Sequence, residues 1–584
     1  MQSRADPANG LGARALLTGA VIGALLTPCN IYSGLKIGWS FNMSIAGALL
    51  GLAFWRLAQD LFGTRAWGLP ENLINQTTAS SAASIISGGL VAPIPALALL
   101  HQPVPDGITL VLWVFSVSVL GLAIAALLHA RFVTTAALPF PAGTAAAETL
   151  SDIHGSGPEA GARVRWLGAA ALLAAGVKLI SEFSGSVLRA SLPGRFPFGG
   201  AGGQGVGFQQ LGIALDGSLL MIGFGGIIGL RAGLSLLLGA LIAWLGLAPW
   251  LLAQGLVEPG AAGTVWFNAL VGWLIWPGVS LMTAGALTAL WLGRRRGTGA
   301  ARTGRTEATL PIAPALWLGG SAMAAALVIA LQWWLFGIPP LAGAAMVLMA
   351  FGLATVAARV VGETGIPPIG ALGKIAQLGS GALVPGSISA NLMGANVTGG
   401  ASGQTADLLN DLKAGALLGA RPAPLFAAQL LGIAVGSIVG SLSYMLLIPD
   451  PAQQLLTPEW PAPAVATWKA VAEVIAGGAE AMPPWSTPAA VVGALAGIGL
   501  ALLQQRAPAV LAAWVPSASA MGLAFVIPAW IAFGLFIGAA LAALLRWWKP
   551  HWAARHLLAV AAGLVAGESL AGVAAAMRAL LGAD

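Results

Sequence analysis

The chain has 584 residues, 58% of them hydrophobic and only 8% charged, with a net charge of +7 and a mean hydropathy of +0.86. Soluble domains carry about 25% charged residues, so a water-soluble fold is excluded: there is too little polar surface to cover so much apolar chain. The basic excess needs no nucleic-acid partner, because membrane proteins collect Lys and Arg in their cytoplasmic loops.

The partner read directly from the sequence is therefore the lipid bilayer. The N-terminal residues Arg4, Asp6 and Arg14 are scattered, and the apolar run that follows is too long for a signal h-region, so no cleavable leader is expected. The charge-free runs are Ala15–Leu35, Gly107–Ala130, Ala232–Val257, Pro259–Gly293, Pro422–Pro449, Ala481–Gln505 and Ala507–Leu545. A spanning helix needs about 20 apolar residues. Several runs reach that length, and Ala308–Ala358 holds two spans joined by a turn at "GIPP". The expectation is an all-α polytopic membrane protein with about 14 to 17 crossings, some of them re-entrant.

Between the runs lies "GRRRGTGAARTGR" (293–305), the densest basic loop, expected in the cytoplasm together with the N-terminus. The tail "RWWKPHWAARH" (546–556) leaves the side of the C-terminus open. The basic loop divides the chain into an N-terminal transmembrane half (1–292), a linker (293–310) and a C-terminal half (311–584). "LGIALDGSLLMIGFGGIIG" (211–229) loosely parallels "MGLAFVIPAWIAFGLFIGA" (521–539), as two pseudo-repeated halves would require. Glycines four residues apart (Gly19/Gly23, Gly47/Gly51, Gly432/Gly436/Gly440, Gly563/Gly567) predict close helix contacts. Cys29, the only cysteine, rules out an internal disulfide and is expected to pack as a small apolar side chain.

Polar and ionisable residues within apolar sequence are expensive, which makes them functional candidates. In chain order they are "TPCNIYSGLKIGWSFNMS" (27–44), "ENLINQTTASS" (71–81), "PFPAGTAAAETL" with Glu148, "GETGIPPIGALGKIAQLGSG" (362–381), "NLMGANVTGGASGQTADLLNDLKAG" (391–415) and "GLVAGESLAGV" with Glu568. Glu71, Asp411 and Lys413 can equally be helix ends at the interface, where charge is cheap.

Six segments, "NIYSGLKIG", "ENLINQTTAS", "PAGTAAAE", "GETGIPPIG", "NVTGGASGQTADLLNDLKAG" and "AGLVAGESLAGV", resemble the successive signatures of the oligopeptide transporter (OPT) family. They come in the family's order from residue 27 to 573, and the chain looks closest to the prokaryotic and yellow-stripe-like side. The resemblance implies about sixteen membrane segments and proton-coupled uptake of small oligopeptides or metal chelates across the plasma (inner) membrane. One departure is Pro367-Pro368, where the family often has Asn-Pro after "GETGI".

A peptide or chelate presents carboxylates, amines and amides. A site for it calls for cations (Lys36, Lys374), amides (Asn30, Asn75, Gln76, Gln377, Asn391, Asn396, Gln404) and a hydrogen-bonding aromatic (Tyr32). The Asn30–Lys36 stretch reads as a broken helix lining a polar cavity, with backbone opened by Pro28, Gly34 and Gly38. Proton coupling calls for a desolvated carboxylate. Glu148 and Glu568 suit this best, since both have apolar sequence on either side, followed by Glu363, Asp407 and Glu71.

Rival classes fit less well. There is no P-loop for an ATP-driven pump, and "GAGGQG" (200–205) lacks the strand and helix that a dinucleotide site requires. "GASG" (400–403) resembles the rhomboid serine motif, but a serine nucleophile needs a histidine in reach, and His551 and His556, the only later ones, lie in or beside a basic segment. A channel remains a further alternative. His101, His129, His154, His551 and His556 form no metal-ligand spacing. No cofactor or resident metal is expected; a transported metal would arrive inside its chelator.

Overall fold

The computed structural model describes residues 12–38, 43–135, 138–154, 159–183, 189–199, 205–261, 263–296, 314–364, 369–478, 482–512 and 514–580. The basic loop beyond Arg296, the Pro367-Pro368 pair and most of "GAGGQG" lie outside the described residues, as do the side chain of Glu363 and those of the arginines at 294–296. In chain order the helices that matter for packing are α1 (Ala13–Ile37), α2 (Ser44–Phe62), α3 (Leu69–Ala83), α4 (Gly107–His129), α5 (Pro141–His154), α6 (Glu159–Phe183), α7 (Leu219–Ile228) and α8 (Phe267–Arg296). They continue as α9 (Pro314–Phe336), α10 (Pro340–Thr364), α11 (Ile369–Leu383), α12 (Ile388–Leu417), α13 (Pro422–Leu447), α14 (Ser486–Arg506), α15 (Ala529–Trp548) and α16 (Pro550–Leu580).

The protein is an all-α polytopic membrane protein. Among the described residues 13 helices are long and apolar enough to cross a bilayer, fewer than the 14 to 17 crossings expected from hydropathy. The difference has two sources. Helix α7 is apolar but has only 10 residues, about half a span. Helix α12 has 30 residues but carries so many amides and hydroxyls that it does not qualify on hydropathy. The turn at "GIPP" separates α9 from α10 as expected. Four short strands form two antiparallel pairs, Arg189–Ser191 with Ala214–Asp216 and Arg195–Gly199 with Gly205–Gly207. Gly205, the one described residue of "GAGGQG", opens a strand that pairs antiparallel with Arg195–Gly199, and no βαβ unit occurs there among the described residues.

The chain packs as two compact units. The first comprises residues 1–32, 40–165 and 297–449, and the second 33–39, 166–296 and 450–584. Each unit thus takes one block from either side of the basic loop.

In the first unit the glycine pairs do what their spacing predicts. A Cβ on Gly19 would lie 2.8 Å from the Asn75 carbonyl, and one on Gly436 2.5 Å from that of Ala82. Helices α1 and α13 can therefore approach the backbone of α3 because their contact residues have no side chain. In the second unit Gly563 and Gly567 of α16 meet Leu167 and Ala171 of α6 in the same way. There α7 and α15, which cover the second parts of the two loosely parallel segments, exchange contacts: Gly225 faces the Leu535 carbonyl and Gly538 faces that of Ile222.

One expectation is corrected. Helix α1 is not broken at Asn30–Lys36 but runs unbroken through Pro28 to Ile37. Proline removes one backbone donor, and side chains on either side of it bond the neighbouring turn. Thr27 donates to the Gly23 carbonyl at 2.7 Å and the Cys29 thiol to that of Leu25 at 3.3 Å. Cys29 is fully buried, packing as a small residue. The helix ends one residue later than the apolar pattern suggests, at Gly38, whose φ of +79° is a left-handed stop.

Candidate functional site

Helix α12 is the axis of the first unit. It packs against α3, α4, α5, α9, α10, α11 and α13, and almost its whole length is buried. A helix enclosed on all sides is normally apolar all round. This one is not: Asn391, Asn396, Thr398, Ser402, Gln404, Thr405, Asn410 and Asp411 are all buried. From Asn391 to Asp411 the rise is about 30 Å, close to the thickness of a bilayer's hydrocarbon core.

Buried polar groups need partners, and α12 finds them on successive neighbours. At its N-terminal end Asn391 and Gln377 of α11 form a reciprocal pair. The Gln377 side chain donates to Asn391 Oδ1 at 3.0 Å, and Asn391 Nδ2 donates to the Gln377 carbonyl at 2.7 Å. Lys374 is buried one turn away on α11. Next, Asn396 Oδ1 accepts from the indole of Trp113 on α4 at 2.8 Å. Then Gln429 of α13 donates to Gln404 Oε1 at 3.3 Å, and Ser81 of α3 donates to the Gln429 carbonyl at 2.8 Å. At the far end Asp411 Oδ1 accepts from Gln76 Nε2 at 3.2 Å and from the Ser44 hydroxyl at 3.4 Å. Ser44 is in turn 3.0 Å from Ser80.

These bonds do not use up the polar capacity. Thr398 Oγ1, Ser402 Oγ, Gln404 Nε2, Gln429 Oε1, Gln76 Oε1 and Asp411 Oδ2 are buried without a partner among the described residues. Native interiors leave few such atoms, so a run of them along one helix marks a place built to meet water, a proton or a ligand's polar groups. Ser402 belongs to "GASG", and its hydroxyl bonds no histidine among the described residues.

The other sequence candidates fall into different places. Asn30 is buried and donates to the Ala83 carbonyl at 2.9 Å, tying α1 to α3. Asn75 donates to the Gly47 carbonyl and to Asn72, a bracket between α2 and α3. Tyr32 is buried near the end of α1 within the first unit, while Lys36 falls in the second. The Lys36 ammonium donates to the backbone carbonyl of Glu459 and lies 4.8 Å from the Trp460 ring.

The carboxylates divide sharply. Glu71 bonds the Gly68 amide and pairs with Arg65 at 2.7 Å and Arg14 at 3.6 Å, capping α3. Arg14 also lies 3.7 Å over the Trp55 ring. Glu568, 7% exposed, sits in the second unit. Its Oε1 accepts from the Ser218 hydroxyl and its Oε2 from the Leu220 amide, both at 2.7 Å, at the start of α7. Asp407 is half-buried, one turn before Asp411 on α12.

Glu148 requires a correction. The small residues around it do pack, but Gly143, Ala146, Ala147, Leu150 and Ile153 form the buried stripe of α5, while Glu148 itself is exposed on the opposite face. The expected shielding by neighbouring helices is absent. Asp411, by contrast, is 1% exposed and is no interfacial helix end. At the end of α5, outside the spans, His154 Nε2 lies 3.0 Å from Asn72 Nδ2. Burial, and then the nearby Arg56 charge, push the imidazole down to about 4, so the ring is neutral and accepts.

The family model described as "OPT oligopeptide transporter protein" matches residues 11–579. The chain is 23% identical to the Saccharomyces cerevisiae protein named "Putative oligopeptide transporter YGL114W" over 704 aligned positions, covering 95% of this chain and 94% of that one. It is 29% identical to "Probable metal-nicotianamine transporter YSL5" of Oryza sativa subsp. japonica over 221 positions, 36% of this chain and 32% of the relative. A "Putative oligopeptide transporter" of Haemophilus influenzae is 25% identical over 219 positions, 37% of this chain and 31% of its own length.

Proposed function

The chain belongs to the oligopeptide transporter family, and from that premise we propose that it is a secondary active transporter importing small oligopeptides or peptide-like metal chelates by symport with protons. The observation that carries this reading is α12: a helix about as long as the membrane is thick, enclosed by apolar helices yet lined with amides, hydroxyls and a carboxylate whose polar atoms are only partly matched. Such a helix is costly unless it serves a polar cargo or a proton.

In this proposal Asn396, Gln404 and Gln429 offer amide groups to the cargo, and Lys374 attracts its carboxylate. Asn30 and Asn75 donate to backbone carbonyls and so help to position helices, while Asn75 Oδ1 stays unmatched among the described residues. Lys36 fixes the segment around Glu459 and Trp460. Coupling falls on the α12 carboxylates in preference to Glu71 and Glu568, whose oxygens are already met by donors. Pseudo-repeated halves, the architecture of many secondary transporters, are part of the same proposal. Among the described residues no three His, Cys, Asp or Glu side chains form a metal-binding group, so a metal cargo is best recognised through its chelator.

The test is uptake by proteoliposomes under an inward pH gradient, paired with thermal stability of the purified protein against di- and tripeptides and aminocarboxylate–metal chelates. A true cargo at 100 times its Kd stabilises by about 2.7 kcal/mol and accumulates only with the gradient. If no ligand of either class raises stability, or uptake is indifferent to pH, the proposal fails.

A further inference from the structure

Asp411, which like Lys413 on the same helix reads from sequence equally well as an interfacial helix end, is buried in the α12 ladder. Its two oxygens have unlike surroundings. Oδ1 faces Gln76 Nε2 and the Ser44 hydroxyl. Oδ2 is buried and meets no donor among the described residues. No Lys or Arg pairs with it there. The elements packed on α12 carry Glu71 on α3, His129 on α4, Glu148, Asp152 and His154 on α5, Arg131 just after α4, Arg359 and Glu363 on α10, Lys374 on α11 and Tyr444 on α13. On α12 itself Asp407, of the same sign, stands one turn before Asp411, and Lys413 two residues after it. A bare carboxylate in such a place is strongly disfavoured, and the usual relief is a proton or a cation.

The neighbours choose between those two. A metal ion needs oxygens turned toward it. Gln76 instead presents N–H to Oδ1, and the Ser44 hydroxyl, with one hydrogen, lies between Ser80 at 3.0 Å and Oδ1 at 3.4 Å, while Oδ2 stands open for an O–H.

We propose that Asp411 is a proton-binding site of this chain, holding its proton on Oδ2, with Gln76 and Ser44 as positioning residues and half-buried Asp407, one turn away, as the group through which the proton enters and leaves. The reading rests on proton-coupled transport for its role in the cycle, but occupancy of the site by a proton is measurable without transport.

The experiment is infrared spectroscopy of the purified full-length protein, comparing wild type with Asp411→Asn in the carboxylic-acid C=O region, alongside gradient-driven uptake in proteoliposomes. The wild type should show a buried-acid band at neutral pH that Asp411→Asn lacks. Asn mimics the protonated acid, so the variant should still exchange substrate across the membrane. With a one-unit pH gradient, one coupled proton sustains at most about tenfold accumulation of a neutral cargo; the variant should lose that tenfold factor.

A band that persists in Asp411→Asn overturns the proposal, as does accumulation that survives the substitution. A wild-type band that vanishes on adding sodium at fixed pH overturns it in favour of a cation site. Should Asp411→Asn not fold, Asp411→Glu keeps the acid in altered surroundings and its band must shift; an unshifted band refutes the assignment. Wild-type uptake without pH dependence would sink the symport reading alone, because the acid band would still report the proton.

Discussion

Glu568 provides the sharpest test of how carboxylates are used in this fold. Replacing it with alanine leaves the Leu220 amide at the start of α7 without its acceptor, whereas Ser218 Oγ keeps a second contact, accepting from the Met221 amide at 3.4 Å. An orphaned buried donor costs about 1–3 kcal/mol, and losing an anion at a helix N-terminus costs a further 0.3–1 kcal/mol or so. The expected loss for Glu568→Ala is therefore about 1–4 kcal/mol. Glu568→Gln keeps the shape and one acceptor, and its amide can donate to Ser218 Oγ. It exchanges hydrogen bonds to a charge for neutral ones, a difference of about 1 kcal/mol. Thermal unfolding of the detergent-purified protein, followed by tryptophan fluorescence, should rank wild type above Gln and Gln above Ala. Proteoliposomes of Glu568→Gln should still accumulate substrate under a pH gradient. An Ala variant as stable as wild type would refute the capping argument. A Gln variant of unchanged stability that has lost accumulation would make Glu568 the coupling acid instead.

Trp113→Phe removes the donor to Asn396 Oδ1 and should cost about 1–3 kcal/mol. The Trp113→Phe/Asn396→Leu double variant should lose less than the sum of its singles, and additive losses would show that the bond does not hold α4 to α12. Gly436→Leu should abolish folded protein, because a Cβ there meets the Ala82 carbonyl at 2.5 Å; normal expression and monodispersity would contradict this packing. His154 is held near 4 in the fold against an ordinary 6.5. The unfolded chain therefore takes up a proton that the native ring refuses, and stability should fall as pH drops from 6.5 toward 4. His154→Gln should lessen that acid loss, and an identical pH profile would show that the ring is not so held. Finally, a cysteine at Thr298 in a Cys29→Ser background should be labelled by an impermeant reagent only after cells are opened; labelling of intact cells would reverse the expected orientation.

Much of this fold is legible because lipid makes the pattern crude: an apolar run of about 20 residues has few alternatives to a spanning helix. The glycine repeats were equally readable, since small residues four apart have one economical use in a membrane. The failures share a different cause. Glu148 was read from its neighbours in sequence, Ala147 and Thr149, whereas burial in a helix is decided by residues three and four away. The stripe 143, 146, 147, 150, 153 was present in the sequence and leaves 148 outside it. Lys36 was read as lining a cavity because Pro28, Gly34 and Gly38 suggest a break, but hydrogen bonds from Thr27 and Cys29 to neighbouring carbonyls accompany an intact helix. Asp411 could not be separated from an interfacial charge at all. What distinguishes it is Gln76, 335 positions earlier, and no periodicity reports a contact at that range.

Glu568 and Asp411 have the same functional group, are both buried, and differ in how many of their oxygens meet a donor. At Glu568 both do, from a hydroxyl and from an amide at a helix N-terminus, where the backbone dipoles favour negative charge. At Asp411 one oxygen is met and the other meets no donor among the described residues. On the reading proposed above, the donor count at each oxygen is a better guide to a carboxylate's role than its depth in the membrane: two donors suit Glu568 to holding α7 in place, and the open oxygen of Asp411 suits it to a proton.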